Sequence, residues 1–191
     1  MKHKIAILYG SMREKRQGIR AARFMLNKLK ERGHEAVLVD AKKYNLPFLD
    51  KMYKEYKNDD APEALKQISA ILMESDGFVV VSGEYNHSIP PPLKNLIDYF
   101  GKEYQYKPSA IVSYSGGTFA GIRASSHLRD VITKLGMPAI PSTFPIASIS
   151  KTIDTDGNVL EGNYDRHIIK FLDEFEWYIR AFKNERAMGT P

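Results

Sequence analysis

Short apolar runs alternate with longer amphipathic segments along the chain. Five runs are almost wholly apolar, as is typical of strands buried on both faces of a sheet, and they cover residues 4–9, 36–39, 77–82, 110–113 and 139–144. Apolar residues recur at helical spacing over 18–32, from residue 62, and over 90–99, 119–135 and about 165–183. This alternation predicts a doubly wound α/β fold with a parallel sheet.

Two further segments interrupt the alternation. Residues 41–60 indicate a charged, tyrosine-rich connection. The pair Asp156-Gly157 predicts a tight hairpin turn. Acidic residues in and near this turn resemble a calcium-binding loop, but the full ligand spacing is absent. We expect residues 1–191 to form one domain that includes the hairpin and helix at about 150–187.

Composition narrows the possible classes of protein. The chain has 191 residues, of which 43% are hydrophobic, so it can bury a sizeable core. Its net charge of +5 favours anionic small molecules, but the basic residues are too dispersed to predict a nucleic-acid partner. No run reaches the length of a membrane span and no signal peptide is visible, so we expect a cytoplasmic protein.

Cysteine and histidine usage bears on metal and redox chemistry. The sequence contains no cysteine, which excludes disulfides, thiolate catalysis and cysteine-ligated metals. Its five histidines never fall at the spacing of zinc ligands. The sequence therefore predicts no metal site.

A loop rich in polar donors follows the first predicted strand. It begins at Gly10 and Ser11, continues through Arg13 and Arg16, and meets a helix near Gly18. Backbone N–H groups and the positive end of a helix dipole can hold a phosphate at such a position, with charge-assisted hydrogen bonds from the arginines. The same composition also suits a solvated connection, so the loop alone leaves both interpretations open.

Two more unusual loops follow the third and fourth predicted strands, over residues 83–92 and 113–121. The first of these two loops carries amide and aromatic side chains. The second contains Gly116 and Gly117, whose backbone can approach a flat ring closely. Because loops at the carboxyl ends of parallel strands share one edge of the sheet, the three loops together predict a mononucleotide site.

Residues 83–98 read GEYNHSIPPPLKNLID. This segment resembles the motif P-E-Y-N-x-S-x-P-x-x-L-K-N-x-x-D of NAD(P)H-dependent FMN reductases, a flavodoxin-like family that includes quinone, azo-dye and chromate reductases. The opening Gly-Ser-x-Arg and a later Ser-Gly-Gly also match, so that the resemblance covers residues 4 to about 145. It implies a five-stranded parallel sheet of order 2-1-3-4-5 with helices on both faces.

The resemblance also implies a set of FMN-binding residues. Those expected at the phosphate are Ser11, Arg13 and the loop through Gly18, with Arg16 as a further donor. Those expected at the isoalloxazine are Glu84, Tyr85, Asn86 and His87 on one side, and Ser115, Gly116 and Gly117 on the other. NADPH or NADH would be the co-substrate. No catalytic side chain is predicted, because the flavin itself carries the hydride chemistry.

The sequence departs from the family pattern at four positions. Gly83 stands where proline is usual, and Arg16 and Gly18 stand where many members have serine and asparagine in contact with the phosphate. His127 replaces a common glutamine. None of these changes removes a group that the chemistry needs.

Two classes of function follow from the resemblance. The first is an FMN-dependent reductase of quinones, azo compounds, free flavin or similar small acceptors, with ping-pong kinetics. The second is an electron carrier like a flavodoxin, which docks on protein partners. Such carriers are usually strongly acidic and lack arginine in the first loop, so the basic balance here favours the enzyme. A flavin-free scaffold is hard to reconcile with three intact ligand loops.

The resemblance further implies a homodimer or homotetramer. Along the helix over 90–100, the apolar stripe consists of Leu93, Leu96, Ile97 and Phe100, and nearby tyrosines 99, 104 and 106 predict additional aromatic surface for a partner subunit. Residues 102–107 have two interpretations, as a surface connection or as a segment near the flavin of a neighbouring subunit.

Overall fold

The predicted strands form one parallel sheet. The computed structural model describes residues 1–57 and 60–191. Its strands are β1 (Lys4–Tyr9), β2 (Glu35–Asp40), β3 (Gly77–Ser82), β4 (Ser109–Tyr114) and β5 (Ala139–Ile146). They lie in the order β2-β1-β3-β4-β5, and every neighbouring pair is parallel. The predicted fold class and strand order are confirmed.

Helices cover both faces of this sheet. They are α1 (Ile19–Glu31), α2 (Ala41–Tyr44), α3 (Glu63–Glu74), α4 (Pro91–Asp98), α5 (Ile122–Lys134), α6 (Ile149–Thr152) and α7 (Tyr164–Met188). Helices α1 and α7 enclose one core with the sheet, whereas α3, α4 and α5 enclose the other. Within the described residues, no helix combines the length and apolar character needed to cross a membrane.

The strands β1 and β3 are buried because each lies between two parallel neighbours and under helices on both faces. Every residue of β3 is buried, and in β1 only Lys4 is exposed. Alternate residues face opposite cores, so that Val79 belongs to the α1–α7 side and Val80 to the other side. The parallel pairing places the carboxyl ends of β1, β3 and β4 side by side at one edge of the sheet.

The structure corrects several of the predicted segments. The connection over 41–60 contains the short helix α2 and a 3₁₀ turn at Tyr53–Glu55, while its residues 58 and 59 lie outside the described part. Helix α5 begins at Ile122 rather than at 119, because Ala120 and Gly121 adopt left-handed conformations with φ of 53° and 72°. Helix α7 extends five residues beyond the predicted end at 183, to Met188.

The hairpin at Asp156-Gly157 is confirmed. Ile153 and Val159 form an antiparallel bridge, and the Asp154 carboxylate accepts hydrogen bonds from the backbone N–H groups of Asp156 (2.9 Å) and Asn158 (2.8 Å). These bonds give the Asp154 carboxylate a structural role within the turn. In the described part of the chain, no group of three or more histidine or acidic side chains is arranged to hold a metal ion.

The interpretation of residues 102–107 as a surface connection was wrong in part, because residues 102, 105 and 106 are exposed but residues 103, 104 and 107 are buried. Tyr104 is fully buried and packs edge-on against Phe78, with ring centroids 5.3 Å apart. The Lys107 ammonium group is also buried, and it donates to the carbonyl oxygens of Leu72, Met73 and Glu103. Phe78 lies near the start of β3, so this segment belongs to the edge opposite the three polar loops.

The aromatic surface expected next to α4 was also wrong. Leu93, Leu96, Ile97 and Phe100 all pack into the chain's own core, with no more than 1% of each exposed. Tyr99 is 2% exposed and Tyr104 is fully enclosed. Of the three tyrosines, only Tyr106 is exposed. This face of α4 therefore covers the sheet.

Candidate functional site

The three polar loops meet in one cleft of about 250 Å³ at the carboxyl edge of the sheet. Seven of the predicted site residues line it: Ser11, Arg13, Arg16, Glu84, Tyr85, Ser115 and Gly116. The lining also includes Lys15, Gln17, Gly83 and Tyr114, which lie in the three predicted loops but were not singled out, and Ile149, which lies outside those loops. The predicted residues Gly18, Asn86, His87 and Gly117 do not line the cleft itself. The fold thus brings together most of a site whose parts are up to 105 residues apart in the sequence.

The first loop leaves the amino end of α1 open to a ligand. Gly18 is the N-cap of this helix and offers no side chain, and the first turn of α1 contains no acidic residue. Arg13 is exposed, and within the described residues it forms no hydrogen bond or ion pair. Uncapped N–H groups beside an unpaired guanidinium are suited to a phosphate group.

Arg16 is engaged within the protein. Its two terminal nitrogens contact the two carboxylate oxygens of Asp40, each at 2.5 Å, and one of them also donates to the Ser11 carbonyl oxygen at 3.0 Å. The guanidinium lies 5.3 Å from the centre of the Tyr9 ring. Arg16 therefore fastens the first loop to the end of β2, and its contact with a phosphate stays a prediction.

Tyr114 was missed by the sequence reasoning. It ends β4, and its ring lies between Gly18 and Gly83. A Cβ atom on Gly18 would lie 1.9 Å from the Tyr114 ring and 2.1 Å from its hydroxyl oxygen, while one on Gly83 would approach both at 3.0 Å. The ring thus gives a steric reason for both glycine departures. The one signal available in the sequence was its place at a strand end, inside the third predicted loop.

The second loop is a tight two-residue turn. Tyr85 and Ser88 exchange backbone hydrogen bonds of 3.0 and 2.9 Å around Asn86 and His87, whose φ angles are 49° and 66°. Two successive left-handed residues define a type I′ turn, in which asparagine is favoured. His127 contacts the Ser88 hydroxyl at 3.2 Å, so the residue that replaces the common glutamine also bears on this loop. Asn86 and His87 are exposed at its tip.

The Glu84 carboxylate joins the second loop to α5. One of its oxygens accepts hydrogen bonds from the backbone N–H groups of Arg123 (3.0 Å) and Ala124 (3.2 Å). These two hydrogen bonds cap the amino end of α5, whose N-cap residue, Gly121, has no side chain. The Glu84 side chain therefore attaches the second loop to the start of α5, and its contact with the isoalloxazine ring stays a prediction.

The third loop is exposed at Gly116 and Gly117. The Ser115 hydroxyl donates to the Gly117 carbonyl oxygen at 2.8 Å, and the Ser148 N–H donates to the same oxygen at 2.9 Å. A Cβ atom on Gly116 or Gly117 would meet nothing within 4 Å, so internal packing does not require glycine there. Open space over two glycines is consistent with the approach of a flat ring.

Residues 3–151 match the NADPH-dependent FMN reductase family. The chain belongs to this family. It is 27% identical over 188 residues to a 2-hydroxy-1,4-benzoquinone reductase of Burkholderia sp, a match that covers 93% of this chain and 96% of the relative. The family predicted from the three motifs is therefore confirmed, and FMN and NAD(P)H are the cofactor and electron donor that this family implies.

Two solved structures are similar to this chain in fold. The flavoenzyme NAD(P)H:acceptor oxidoreductase FerB of Paracoccus denitrificans superposes with a TM-score of 0.70 at 19% identity, over 95% of this chain and 98% of FerB. A flavodoxin of Pseudomonas aeruginosa superposes with a TM-score of 0.57 at 16% identity, over 94% of this chain and all of the flavodoxin. Both likenesses support the flavodoxin-like architecture.

Proposed function

We propose that the chain binds FMN in the cleft and uses it to reduce small acceptors with NADH or NADPH. The observation that supports this most directly is the convergence of three loops on one edge of the sheet. One loop offers an uncapped helix end and the unpaired Arg13, and another offers two glycines with open space beside them. A mononucleotide needs these two environments side by side.

In this arrangement Ser11 and Arg13 hold the phosphate at the amino end of α1. Residues 84–87 and 115–117 then lie on either side of the isoalloxazine. Bound flavin supplies the chemistry by accepting a hydride from the nicotinamide and passing reducing equivalents to the acceptor. The protein contributes position, because Glu84 fixes the second loop against α5 and Arg16 fixes the first loop against β2.

Quinones are the acceptor class that we favour. The relative from Burkholderia sp is named as a benzoquinone reductase. The cleft has an open face, which would admit nicotinamide and acceptor in turn and give ping-pong kinetics. Azo compounds and free flavin are further candidates. The net charge of +5 and Arg13 favour an enzyme over an acidic electron carrier of the flavodoxin type.

A homodimer is the assembly that we propose, although not through the surface expected from the sequence. A second, more apolar cleft of about 360 Å³ lies beside the first loop, between Met12, the segment after α2 and the start of α4. Phe48 at its rim is 84% exposed. A partner covering this cleft would bury Phe48 and Met12 close to the flavin. Light scattering should then report at least twice the chain mass of 21.7 kDa.

The cofactor and the activity can be tested on the purified protein. We expect a flavin absorption spectrum, a released cofactor that co-migrates with FMN, and bleaching by NADPH or NADH without oxygen. Re-oxidation by a benzoquinone should follow. Release of FAD, or a colourless protein that does not bind added FMN, would contradict the proposal. The cytoplasmic location stays a prediction from the sequence.

A further inference from the structure

The hydroxyl group of Tyr114 lies at the amino end of α1, inside the proposed phosphate site. A Cβ atom on Gly18, the N-cap of this helix, would lie 2.1 Å from the hydroxyl oxygen. The phenol therefore occupies the space into which a side chain at position 18 would extend. It lines the same cleft as Ser11 and Arg13.

The two glycines around this ring are explained by the ring alone. Gly18 has φ of −65° and ψ of −14°, an ordinary helical conformation that any residue adopts. Gly83 has no left-handed φ either. The backbone thus does not demand glycine at these positions, whereas the Tyr114 ring excludes a side chain at position 18 and crowds one at position 83.

The chemistry of this hydroxyl group suits a phosphate. Burial raises the pKa of Tyr114, so the phenol stays protonated near neutral pH and can donate a hydrogen bond. Ser11 and Tyr9 are its polar neighbours on the protein side, and a phosphate would take the place of the Tyr9 oxygen as acceptor of the single Tyr114 O–H. The Arg16 guanidinium is engaged by Asp40. The cleft-lining side chains of the first loop whose donors remain for an anion are Ser11, Arg13 and Lys15.

We propose that the Tyr114 hydroxyl donates a hydrogen bond to the FMN phosphate, in place of the side chain that Gly18 lacks. This inference rests on the proposed function, because it needs FMN in this cleft with its phosphate at α1. Tyr114 is then a cofactor-binding residue contributed by β4 to a site otherwise formed by the loop after β1.

The Tyr114→Phe variant tests the proposal, because it removes the oxygen and keeps the ring between the two glycines. Binding of FMN and of riboflavin, which lacks the phosphate, is measured by titration with the cofactor-free protein. We expect the Kd for FMN to rise at least about tenfold, the usual effect of losing a hydrogen bond to a charged group. The Kd for riboflavin should change less than about threefold.

The matched control is Tyr104→Phe, which removes a phenol oxygen that is fully enclosed and lies at the opposite edge of the sheet from the cleft. It should leave FMN affinity within about threefold of the original chain. If Tyr114→Phe does not fold, the comparison moves to Tyr114→Ser. Adding Gly18→Asn to Tyr114→Ser should then restore part of the FMN affinity, because a polar side chain returns to the same space.

The outcomes separate the two proposals. A chain that does not bind FMN at all overturns the proposed function and this inference with it. If the original chain binds FMN but Tyr114→Phe binds it equally well or more tightly, the function stands and the inference is wrong. An equal loss of affinity for FMN and riboflavin also overturns the inference, since the hydroxyl would then contact a part common to both ligands.

Discussion

Arg16 and Asp40 form a two-pronged ion pair, in which both terminal guanidinium nitrogens contact the carboxylate at 2.5 Å. Both side chains are largely buried, with exposed fractions of 17% and 11%. Because the pair joins the first loop to the end of β2, it sets the loop geometry on which a phosphate site depends. It also lowers the positive charge that Arg16 presents to a ligand.

We expect Arg16→Gln to destabilise the fold by roughly 1–3 kcal/mol, because the largely buried Asp40 loses its charged partner. Urea unfolding measures the loss. Lys4→Gln provides the comparison, since the Lys4–Glu74 pair is exposed and should contribute much less. Similar stability for Arg16→Gln and the original chain would mean that the pair does not brace the loop.

Arg13→Ala should show the opposite behaviour. Its guanidinium is exposed and unpaired within the described residues, so stability should be unchanged. FMN affinity should fall by about 1.5–3 kcal/mol, the range for a hydrogen bond to a charged group. Arg180→Ala removes the same charge from the exposed face of α7 and serves as the control. Unchanged FMN affinity in Arg13→Ala would place the phosphate elsewhere.

Gly18 and Tyr114 should be energetically coupled. Gly18→Ala alone forces the Tyr114 ring to move and should cost about 1–3 kcal/mol of stability, as overpacking does. In a Tyr114→Ser background the same change should cost nearly nothing, because the ring is gone. Gly101→Ala, whose Cβ would meet nothing within 4 Å, is the control for the substitution itself. Additive effects of the two changes would contradict the contact.

Acid should weaken the fold through Glu176. Burial by itself would raise the pKa of this carboxyl, but hydrogen bonds from Arg32 and His34 lower it to about 2, compared with an ordinary value of 4.5. A lowered folded-state pKa stabilises the protein fully above pH 4.5. This stabilisation, at most about 3 kcal/mol, is lost as the pH falls towards 2.

The Glu176→Gln variant isolates this contribution. We expect it to be less stable than the original chain at pH 7 and equally stable near pH 2, with the difference shrinking between pH 4.5 and 2. Urea unfolding at several pH values provides the measurement. Glu174→Gln on the same helix is the control, and it should keep the original pH dependence. A constant difference between Glu176→Gln and the original chain would rule out titration of Glu176 as the cause.

Lys107 should contribute to stability rather than to ligand binding. Its ammonium group donates to three carbonyl oxygens, two of them at the end of α3, at distances of 2.7–3.0 Å. Lys107→Met should cost roughly 1–3 kcal/mol, because buried acceptors lose their donor. Lys102→Met, five residues earlier and exposed, should cost little. FMN affinity should be the same in both variants, since the segment lies at the opposite edge of the sheet.

The family motifs made most of the candidate site predictable. Residues such as Ser11, Tyr85 and Gly116 follow strand ends, and parallel strands bring such positions to one edge whatever the details of packing. The place of Tyr114 at this edge follows from the same rule, but its role could not be predicted, because that role depends on contacts with two glycines 96 and 31 residues earlier in the chain. The same limit applied to Tyr104 and Lys107, which the local charge pattern placed at the surface.

The sequence by itself determined the strands, the parallel sheet and the three ligand loops, because apolar runs and turn residues act over short distances along the chain. Only the tertiary structure decided how the polar side chains of those loops are used. In that structure Arg16 pairs with Asp40, Glu84 caps the amino end of α5, and the Tyr114 ring lies between two glycines. Each of these choices depends on contacts between distant segments, which the local pattern of residues does not encode.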